Sequence, residues 1–277
     1  MTTILLTIVV GLITGFSAGM FGIGGALLST PLLRELVGLP ELIALATPLP
    51  ATLPAAISGS IVYRKEGYLL FDIAFRVLAA ALPANIAGAW LVRYVDGPIM
   101  MVLTGLVLLY SAILFLKRGA KKPPVPEVGG AVPDEGLTPA GKPVESVDLE
   151  AVARERRKTW YLHAGIGALA GFMSGFLAIG GGMVLVPAFV LLLKMPTKQA
   201  LATSLFCVAA LAIPGTIVHH LGGRIDWAAA GILMITVFPV SALGARAASR
   251  MKSRTLELTY GLMTLAFALA FIIRNMM

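Results

Sequence analysis

The segment GFSAGMFGIGG at residues 15–25 recurs later in the chain as GFMSGFLAIGGG at residues 171–182, an offset of 156 residues. Two apolar sequences that resembled each other only in composition would align leucine with leucine. Here individual glycines and prolines align instead. The same offset holds over about ninety residues without a net gap, which indicates an internal duplication. It aligns Pro31 with Pro187, Ala44–Thr47 with Ala200–Thr203, Gly59 with Gly215, Pro83 with Pro239, Gly88 with Gly244, and Gly105–Leu106 with Gly261–Leu262.

Composition places both copies in a membrane. Of the 277 residues, 58% are hydrophobic and only 13% are charged, with a mean hydropathy of +0.89. Soluble domains have about 45–50% apolar and about 25% charged residues. The net charge of +8 comes from bases beside apolar runs, which does not favour nucleic acid as a partner. The single cysteine, Cys207, excludes an intramolecular disulfide and a thiolate metal site.

Each half is predicted to contain a broken first element and three full membrane spans. Residues 4–20 are apolar, FGIGG at 21–25 interrupts them, and residues 26–37 resume. The second half repeats this with 161–178 and 183–194. A second arm of about 12 residues reaches only about 18 Å, so we expect a re-entrant hairpin and not a crossing. The full spans are predicted at 41–62, 71–92, 97–116, 200–219, 228–247 and 256–274.

A polar segment separates the halves. Residues 117–158 contain 7 of the 14 acidic residues, 9 of the 22 basic residues and six prolines. Such a segment cannot bury enough apolar surface to fold alone, so a flexible linker is predicted, with a short surface helix at 147–158. The predicted organisation is a first membrane repeat at 1–116, the linker at 117–158 and a second membrane repeat at 159–277.

Positive charge predicts the topology. Cytoplasmic loops of membrane proteins are enriched in Lys and Arg. With four crossings per half, 8 basic residues outside the linker would be external and 5 internal. With a re-entrant hairpin and three crossings, 9 are internal and 4 external. We therefore predict an all-α integral protein of the cytoplasmic (inner) membrane, with two inverted repeats and a cytoplasmic linker.

The breaks in the hairpins suggest a site for an anion. A helix that begins just after Gly25, and another that begins just after Gly181 or Gly182, would point free backbone N–H groups at the membrane interior, and these groups favour negative charge. The alternative is that the glycines only allow close helix packing. The predicted substrate-binding residues at the breaks are Gly22, Gly24, Gly25, Gly180, Gly181 and Gly182.

Polar side chains within the spans could complete such a site. Thr47 and Thr203 occupy equivalent positions, and Ser204 follows the second of them. Asn85 and Ser241 are also equivalent, each two residues after a proline. The alternative for the hydroxyl groups is a hydrogen bond to a carbonyl of their own helix.

Ionisable residues give little sign of catalysis. His219 and His220 end a span and are either a proton relay or a pair of interfacial histidines. No His, Asp or Glu cluster has the spacing of a metal site, and no nucleophile–base pair stands out. The sequence therefore predicts no enzyme activity and indicates no cofactor or metal.

The paired motif at 15–25 and 171–182, followed by Pro31 and Pro187, resembles the signature of the TauE/SafE sulfite exporter family. This resemblance implies a transporter that moves sulfite, sulfonates or related organosulfur anions across the cytoplasmic membrane. We predict a secondary transporter or exporter of a small anion. The alternatives are an anion channel, a permease for another carboxylate or oxyanion, and, less favoured, an intramembrane enzyme. Protons are a candidate coupling ion, although the scarcity of deep carboxylates leaves the coupling open.

Overall fold

The computed structural model describes residues 2–120, 149–178 and 180–276, and within them the chain is helical throughout, without a β-strand. The predicted all-α class is therefore confirmed. The helices are α1 (Thr2–Phe21), α2 (Ala26–Leu32), α3 (Glu41–Ala46), α4 (Pro48–Lys65), α5 (Phe71–Leu91), α6 (Gly97–Ala120), α7 (Leu149–Leu177), α8 (Gly182–Leu191), α9 (Thr197–Leu221), α10 (Trp227–Arg250) and α11 (Ser253–Met276). A π-helical turn, Leu33–Val37, continues α2.

Helix length and apolarity agree with a multi-pass membrane protein. Six helical segments of the described residues are long and apolar enough to cross a membrane: Thr3–Phe21, Glu41–Lys65, Phe71–Tyr94, Gly97–Lys117, Thr197–Leu221 and Trp227–Arg250. The segment Glu41–Lys65 joins α3 and α4 through Thr47, which has helical dihedrals. Large apolar side chains such as Phe75 and Ile235 are exposed on the outside of the bundle, as lipid contact requires.

The helices at the linker are longer than predicted. Instead of a separate surface helix at 147–158, one helix runs from Leu149 to Leu177. The physical reason is that residues 149–164 contain no glycine or proline to end it, and are rich in Ala, Arg, Glu and Leu. Residues 121–148 of the predicted linker lie outside the described residues, so its flexibility and its cytoplasmic location stay predictions.

The first helix of each half packs on the other half. α1 lies against α10, where Gly15 meets the backbone of Val237, and α7 lies against α5, where Gly171 meets the backbone of Ala81. Glycine permits this approach because it has no Cβ. The two contacts are related by the 156-residue offset at both partners, so the duplicated sequence also has duplicated packing.

The helices α4 and α9 pack together in the centre of the bundle. Gly59, late in α4, lies against Leu205, early in α9, whereas Leu49, early in α4, lies 3.8 Å from the Cβ position of Gly215, late in α9. Equivalent helices with contacts in this order run in opposite directions. The inverted repeat remains a prediction, and these contacts support it.

The inverted arrangement can be tested by labelling introduced cysteines. If the first hairpin returns to its own side, three crossings (α4, α5 and α6) place residue 3 and the linker on opposite sides of the membrane. In a Cys207→Ser background, we expect an impermeant maleimide to label Thr3→Cys in intact cells, and Gly130→Cys only after lysis. Labelling of both positions in intact cells, or of neither, would contradict the inverted arrangement.

Candidate functional site

The first hairpin turns through three glycines with left-handed backbone. Gly22, Gly24 and Gly25 have φ of 68°, 75° and 84°, a region that L-residues with a Cβ rarely adopt. α1 ends just before them, and α2 begins just after Gly25. The break in the helix therefore lies at the residues predicted from the sequence. We call residues 22–26 the first tip.

The second hairpin has the same backbone pattern 156 residues later. Ala178, Gly180 and Gly181 have φ of 52°, 78° and 77°, and α8 begins directly afterwards. We call residues 178 and 180–182 the second tip. The left-handed alanine corresponds to Gly22, so this tip holds an L-residue in a conformation that costs about 1–3 kcal/mol.

The two tips contact each other. A Cβ on Gly182 would lie 2.5 Å from the carbonyl oxygen of Gly22 and 2.6 Å from Cα of Ile23. Gly182 has ordinary helical geometry, so it is required by this close approach and not by its φ. Gly180 also faces the carbonyl oxygen of Ile23, at 3.6 Å from its Cβ position.

The tips lie at mid-depth in the bundle. Gly24 and Gly180 both face Val208 of α9 and Thr52 of α4. Thr52 is the twelfth residue of the segment Glu41–Lys65 and Val208 is the twelfth of Thr197–Leu221, each 25 residues long. A helix of this length spans the hydrocarbon core, so its middle residues lie near the centre of the membrane.

The helices that begin at the tips have backbone N–H groups without an acceptor in the same helix. Val184 N and Leu185 N both donate to the carbonyl oxygen of Gly181, at 3.0 Å. The N–H groups that precede them, on Gly182 and Met183, have no acceptor within α8. In the first tip, Leu28 N and Ser29 N donate to Gly25 in the same way. The side chains that the tip glycines face are uncharged, which strengthens any interaction of these donors with a bound anion.

Ser204 is the predicted hydroxyl residue that lies at a tip. Its Oγ donates to the carbonyl oxygen of Gly22 at 3.0 Å and to that of Leu201 at 2.9 Å. The hydroxyl therefore holds the first tip against α9. This hydrogen bond fixes the backbone of Gly22.

Thr47 and Thr203 are not brought to the tips. The Oγ1 of Thr47 accepts from the backbone N–H of Asp226 at 3.1 Å, and the Oγ1 of Thr203 accepts from Leu70 N at 3.3 Å. Each threonine thus binds the backbone of the residue that precedes a helix: Asp226 precedes α10, and Leu70 precedes α5. The equivalence predicted from the sequence is real, and its observed consequence is the anchoring of a helix start.

Asn85 and Ser241 have different surroundings although they are equivalent in sequence. Ser241 Oγ donates to the carbonyl oxygen of Ala55 at 2.6 Å. Asn85 is 1% exposed, and neither atom of its amide group has a hydrogen-bond partner among the described residues. A buried polar group without a partner is unfavourable by about 1–3 kcal/mol, and Asn85 has such a group whereas Ser241 does not.

From the sequence, His219 and His220 could be either a proton relay or a pair of interfacial histidines, and the structure gives them different surroundings. His219 is fully buried, and its Nε2 lies 3.1 Å from the carbonyl oxygen of Gly175, whereas His220 is exposed and its Nδ1 accepts from Trp227 Nε1. The signal that identifies His219 is the 156-residue offset, which aligns it with Tyr63. The Tyr63 hydroxyl donates to the equivalent carbonyl oxygen, that of Gly19, at 3.0 Å.

The fold and the paired tips together define a duplicated, multi-pass α-helical membrane protein with two broken hairpins that meet at mid-depth. The sequence pattern of the family described as "Sulfite exporter TauE/SafE" matches residues 7–271. The chain belongs to this family. In the part of the chain that the structure describes, no group of three or more His, Cys, Asp or Glu residues could hold a metal ion.

Curated relatives carry transporter names. A "Probable membrane transporter protein" of Xylella fastidiosa (strain 9a5c) is 26% identical over 99% of this chain and 96% of its own length. The "Probable membrane transporter protein YunE" of Bacillus subtilis (strain 168) is 26% identical over 90% of each chain. No solved structure matches the chain. Family and relatives agree that the protein is a membrane transporter.

Proposed function

We propose that the protein is a secondary transporter of a small anion, sulfite or an organosulfonate, across the cytoplasmic membrane, with the two tips as its substrate site. The observation that carries the proposal is the meeting of the tips between Thr52 and Val208, at the middle of two membrane-spanning segments. Non-helical backbone at this depth is tolerated where it lines a cavity or is packed by protein. The family description names sulfite export, which supports the choice of anion.

The chemistry of the tips suits an anion of low charge. The donors would be backbone N–H groups at the start of α8 and at Gly24, Gly25 and Gly180, without a lysine or arginine among the side chains these glycines face. A site of dipoles binds an anion through partial charges, and an ion must also leave such a site for transport to continue. Ser204 lies at the first tip, and Ser241 and Asn85 pack against Gly19 and Gly175, each three residues before a tip. Thr47 and Thr203 support the neighbouring helices.

The packing of the halves supports alternating access. Each first helix lies on the third long helix of the other half, as Gly15 on Val237 and Gly171 on Ala81 illustrate. Two equivalent groups of helices that meet at the tips can exchange conformations, which would open the shared site first to one side and then to the other. The proposed orientation places the basic ends of α4 and α10 in the cytoplasm.

Counterflow in proteoliposomes tests this function. We expect purified protein to take up labelled sulfite in a saturable manner, with faster uptake when unlabelled sulfite is present inside. The binding site of a carrier returns to the outside faster when it is loaded with internal substrate, so internal sulfite accelerates uptake. A channel shows no such acceleration. Methanesulfonate, acetate and chloride as competitors define the anion class. If none of these anions moves or competes, the proposed function is wrong; saturable movement without counterflow would favour a channel.

A further inference from the structure

Three buried polar residues on α5, α7 and α9 carry side-chain atoms that the described residues leave unpaired. Asn85, Ser174 and His219 are 1%, 1% and 0% exposed. Both amide atoms of Asn85, the hydroxyl of Ser174 and Nδ1 of His219 have no hydrogen-bond partner among the described residues. Buried polar groups are almost always paired, and an exception calls for a water, an ion or a ligand.

These three residues lie on α5, α7 and α9, which pack against one another. His219 Nε2 lies 3.1 Å from the carbonyl oxygen of Gly175, the residue that follows Ser174. Gly175 in turn packs against the backbone of Asn85. Gly215 lies one turn before His219 and faces the amide group of Asn85. A Cβ built on Gly215 would lie 3.4 Å from Oδ1 of Asn85.

The cluster borders the start of α8. The Cβ of Ser174 lies 3.0 Å from the Cβ position of Gly181, the residue that precedes this helix. Ser174 is therefore the member of the cluster that contacts the second tip. α8 has ten residues, and its first N–H groups have no acceptor within the helix.

The equivalent positions of the first half show what packing alone demands. Asn85, Ser174 and His219 correspond to Ser241, Ala18 and Tyr63. There the serine donates to Ala55, the alanine is apolar, and the tyrosine donates to Gly19. At these three positions, the first half therefore packs in the same way without an unpaired polar group.

The hydrogen bond of His219 fixes what its other nitrogen can do. The carbonyl oxygen of Gly175 only accepts, so Nε2 carries the hydrogen. In the neutral imidazole, Nδ1 then has a lone pair, which repels an anion. In the protonated imidazole, Nδ1–H is a donor with a positive charge.

The charged side chains on the chain segments near His219 are two arginines and two carboxylates, and both carboxylates already have partners. On the chain segment of His219, Arg224 follows α9, and Asp226 accepts from Ala228 N and Ala229 N at the start of α10. Arg93 follows α5, and partial burial together with this neighbouring charge lowers the pKa of Arg224. Near the start of α4, Glu41 is paired with Arg34 at 2.6 Å.

The remaining neighbours add no charge near the imidazole. Residues 164–177 of α7 and 182–191 of α8 contain no ionisable side chain, and the same holds for residues 48–60 of α4. On α5, Asp72 and Arg76 lie near the opposite end from Asn85, and His220 is exposed and hydrogen-bonded to Trp227. A protonated His219 would therefore find its counter-charge in a bound anion.

We propose that Asn85, Ser174 and His219 form an oxyanion site that takes up one proton on Nδ1 of His219 when the anion binds. This inference rests on the proposed function, since it names the side chains that hold the transported anion at the second tip. Binding is then coupled to protonation: the anion binds the protonated site, and rising pH weakens it. An anion and a proton bound together would cross as a pair.

Anion binding to the purified full chain at several pH values tests the inference. Methanesulfonate is the probe, because a sulfonate keeps its charge over the range of about pH 5 to 8 in which imidazole titrates. At pH values at which His219 is neutral in the ligand-free protein, we expect the dissociation constant of methanesulfonate to rise about tenfold per pH unit. Calorimetry in two buffers of different ionisation enthalpy should show uptake of about one proton per anion in that range. Binding without pH dependence and without proton uptake would overturn the inference and leave the proposed function intact.

Variants that convert the second half into the first provide matched controls. His219→Tyr keeps a donor for Gly175, as Tyr63 does for Gly19, and should bind weakly with no pH dependence. Asn85→Ser and Ser174→Ala should weaken binding about tenfold each while keeping the pH dependence. Tyr63→His, the reverse change in the first half, should keep the wild-type dependence on pH.

Several outcomes separate this site from its alternatives. Wild-type binding and pH dependence in His219→Tyr, or unchanged affinity in both Asn85→Ser and Ser174→Ala, would mean that the cluster holds only water. If His219→Tyr does not fold, proton uptake by the wild-type protein decides the question alone. If the wild-type protein binds neither methanesulfonate nor sulfite at any pH, the proposed function fails and this inference fails with it.

Discussion

Replacement of Gly171 with leucine is expected to prevent the formation of a stable helix bundle. A Cβ at this position would lie 2.7 Å from both Cα and the carbonyl carbon of Ala81, and closer still to its carbonyl oxygen. These are backbone atoms in the middle of α5, so no rotation of a side chain can relieve the overlap. Separation of α5 and α7 along their whole contact should cost about 3 kcal/mol or more.

The single cysteine provides the measurement. Cys207 is buried in α9, and a thiol-reactive fluorophore reports its exposure as the protein unfolds on heating. We expect Gly171→Leu to lower the melting temperature by about 6 °C or more, or to give no folded protein after extraction.

The matched control is Gly165→Leu on the same helix. No atom lies within 4 Å of a Cβ at Gly165, so the same change of residue has space there and should leave the melting temperature near that of wild type. Equal stability of the Gly171→Leu and Gly165→Leu variants would show that the contact between α5 and α7 does not require glycine.

Replacement of Gly180 with alanine is expected to reduce transport much more than stability. A Cβ at Gly180 would meet Val208 at 3.4 Å, an ordinary contact, so the main cost is the positive φ of 78°. This cost is about 1–2 kcal/mol. Because the added methyl group and the relaxed backbone would redirect the N–H groups of the second tip, uptake should fall about tenfold or more.

The control for backbone strain is Gly67→Ala. Gly67 has φ of 75° but lies in the loop between α4 and α5, with no atom within 4 Å of its Cβ position. We expect it to lose a similar amount of stability as Gly180→Ala and to transport at the wild-type rate. If Gly180→Ala loses only this modest amount of stability and transports at the wild-type rate, the second tip is not part of the substrate site.

Some features of the site were predictable because they depend on short stretches of sequence. The glycines at 22–25 and 180–182 interrupt apolar helices wherever the rest of the protein lies, so the breaks could be located without a structure. The role of Gly182 was different. It belongs to the same glycine run, but it is needed because Gly22 and Ile23 of the other half approach it closely.

The side chains around the tips could not be assigned in the same way. Thr47 and Thr203 are equivalent in sequence, and the sequence placed both in the site, yet they accept from Asp226 and Leu70 at neighbouring helix starts. Hydrogen bonds between residues more than one hundred positions apart depend on which helices are neighbours. In a membrane, apolar periodicity does not identify these neighbours, because lipid-facing and protein-facing surfaces are both apolar.

The membrane environment, the duplication and the positions of the two helix breaks could be predicted without a structure. These follow from composition and from comparison of the chain with itself, and neither needs a contact. Only the tertiary structure decided that the tips meet between α4 and α9 and that Asn85 and His219 are buried without full pairing. The reason is that burial and pairing are properties of helices packed together, and aligned positions such as Tyr63 and His219 acquire their roles from the partners that packing brings.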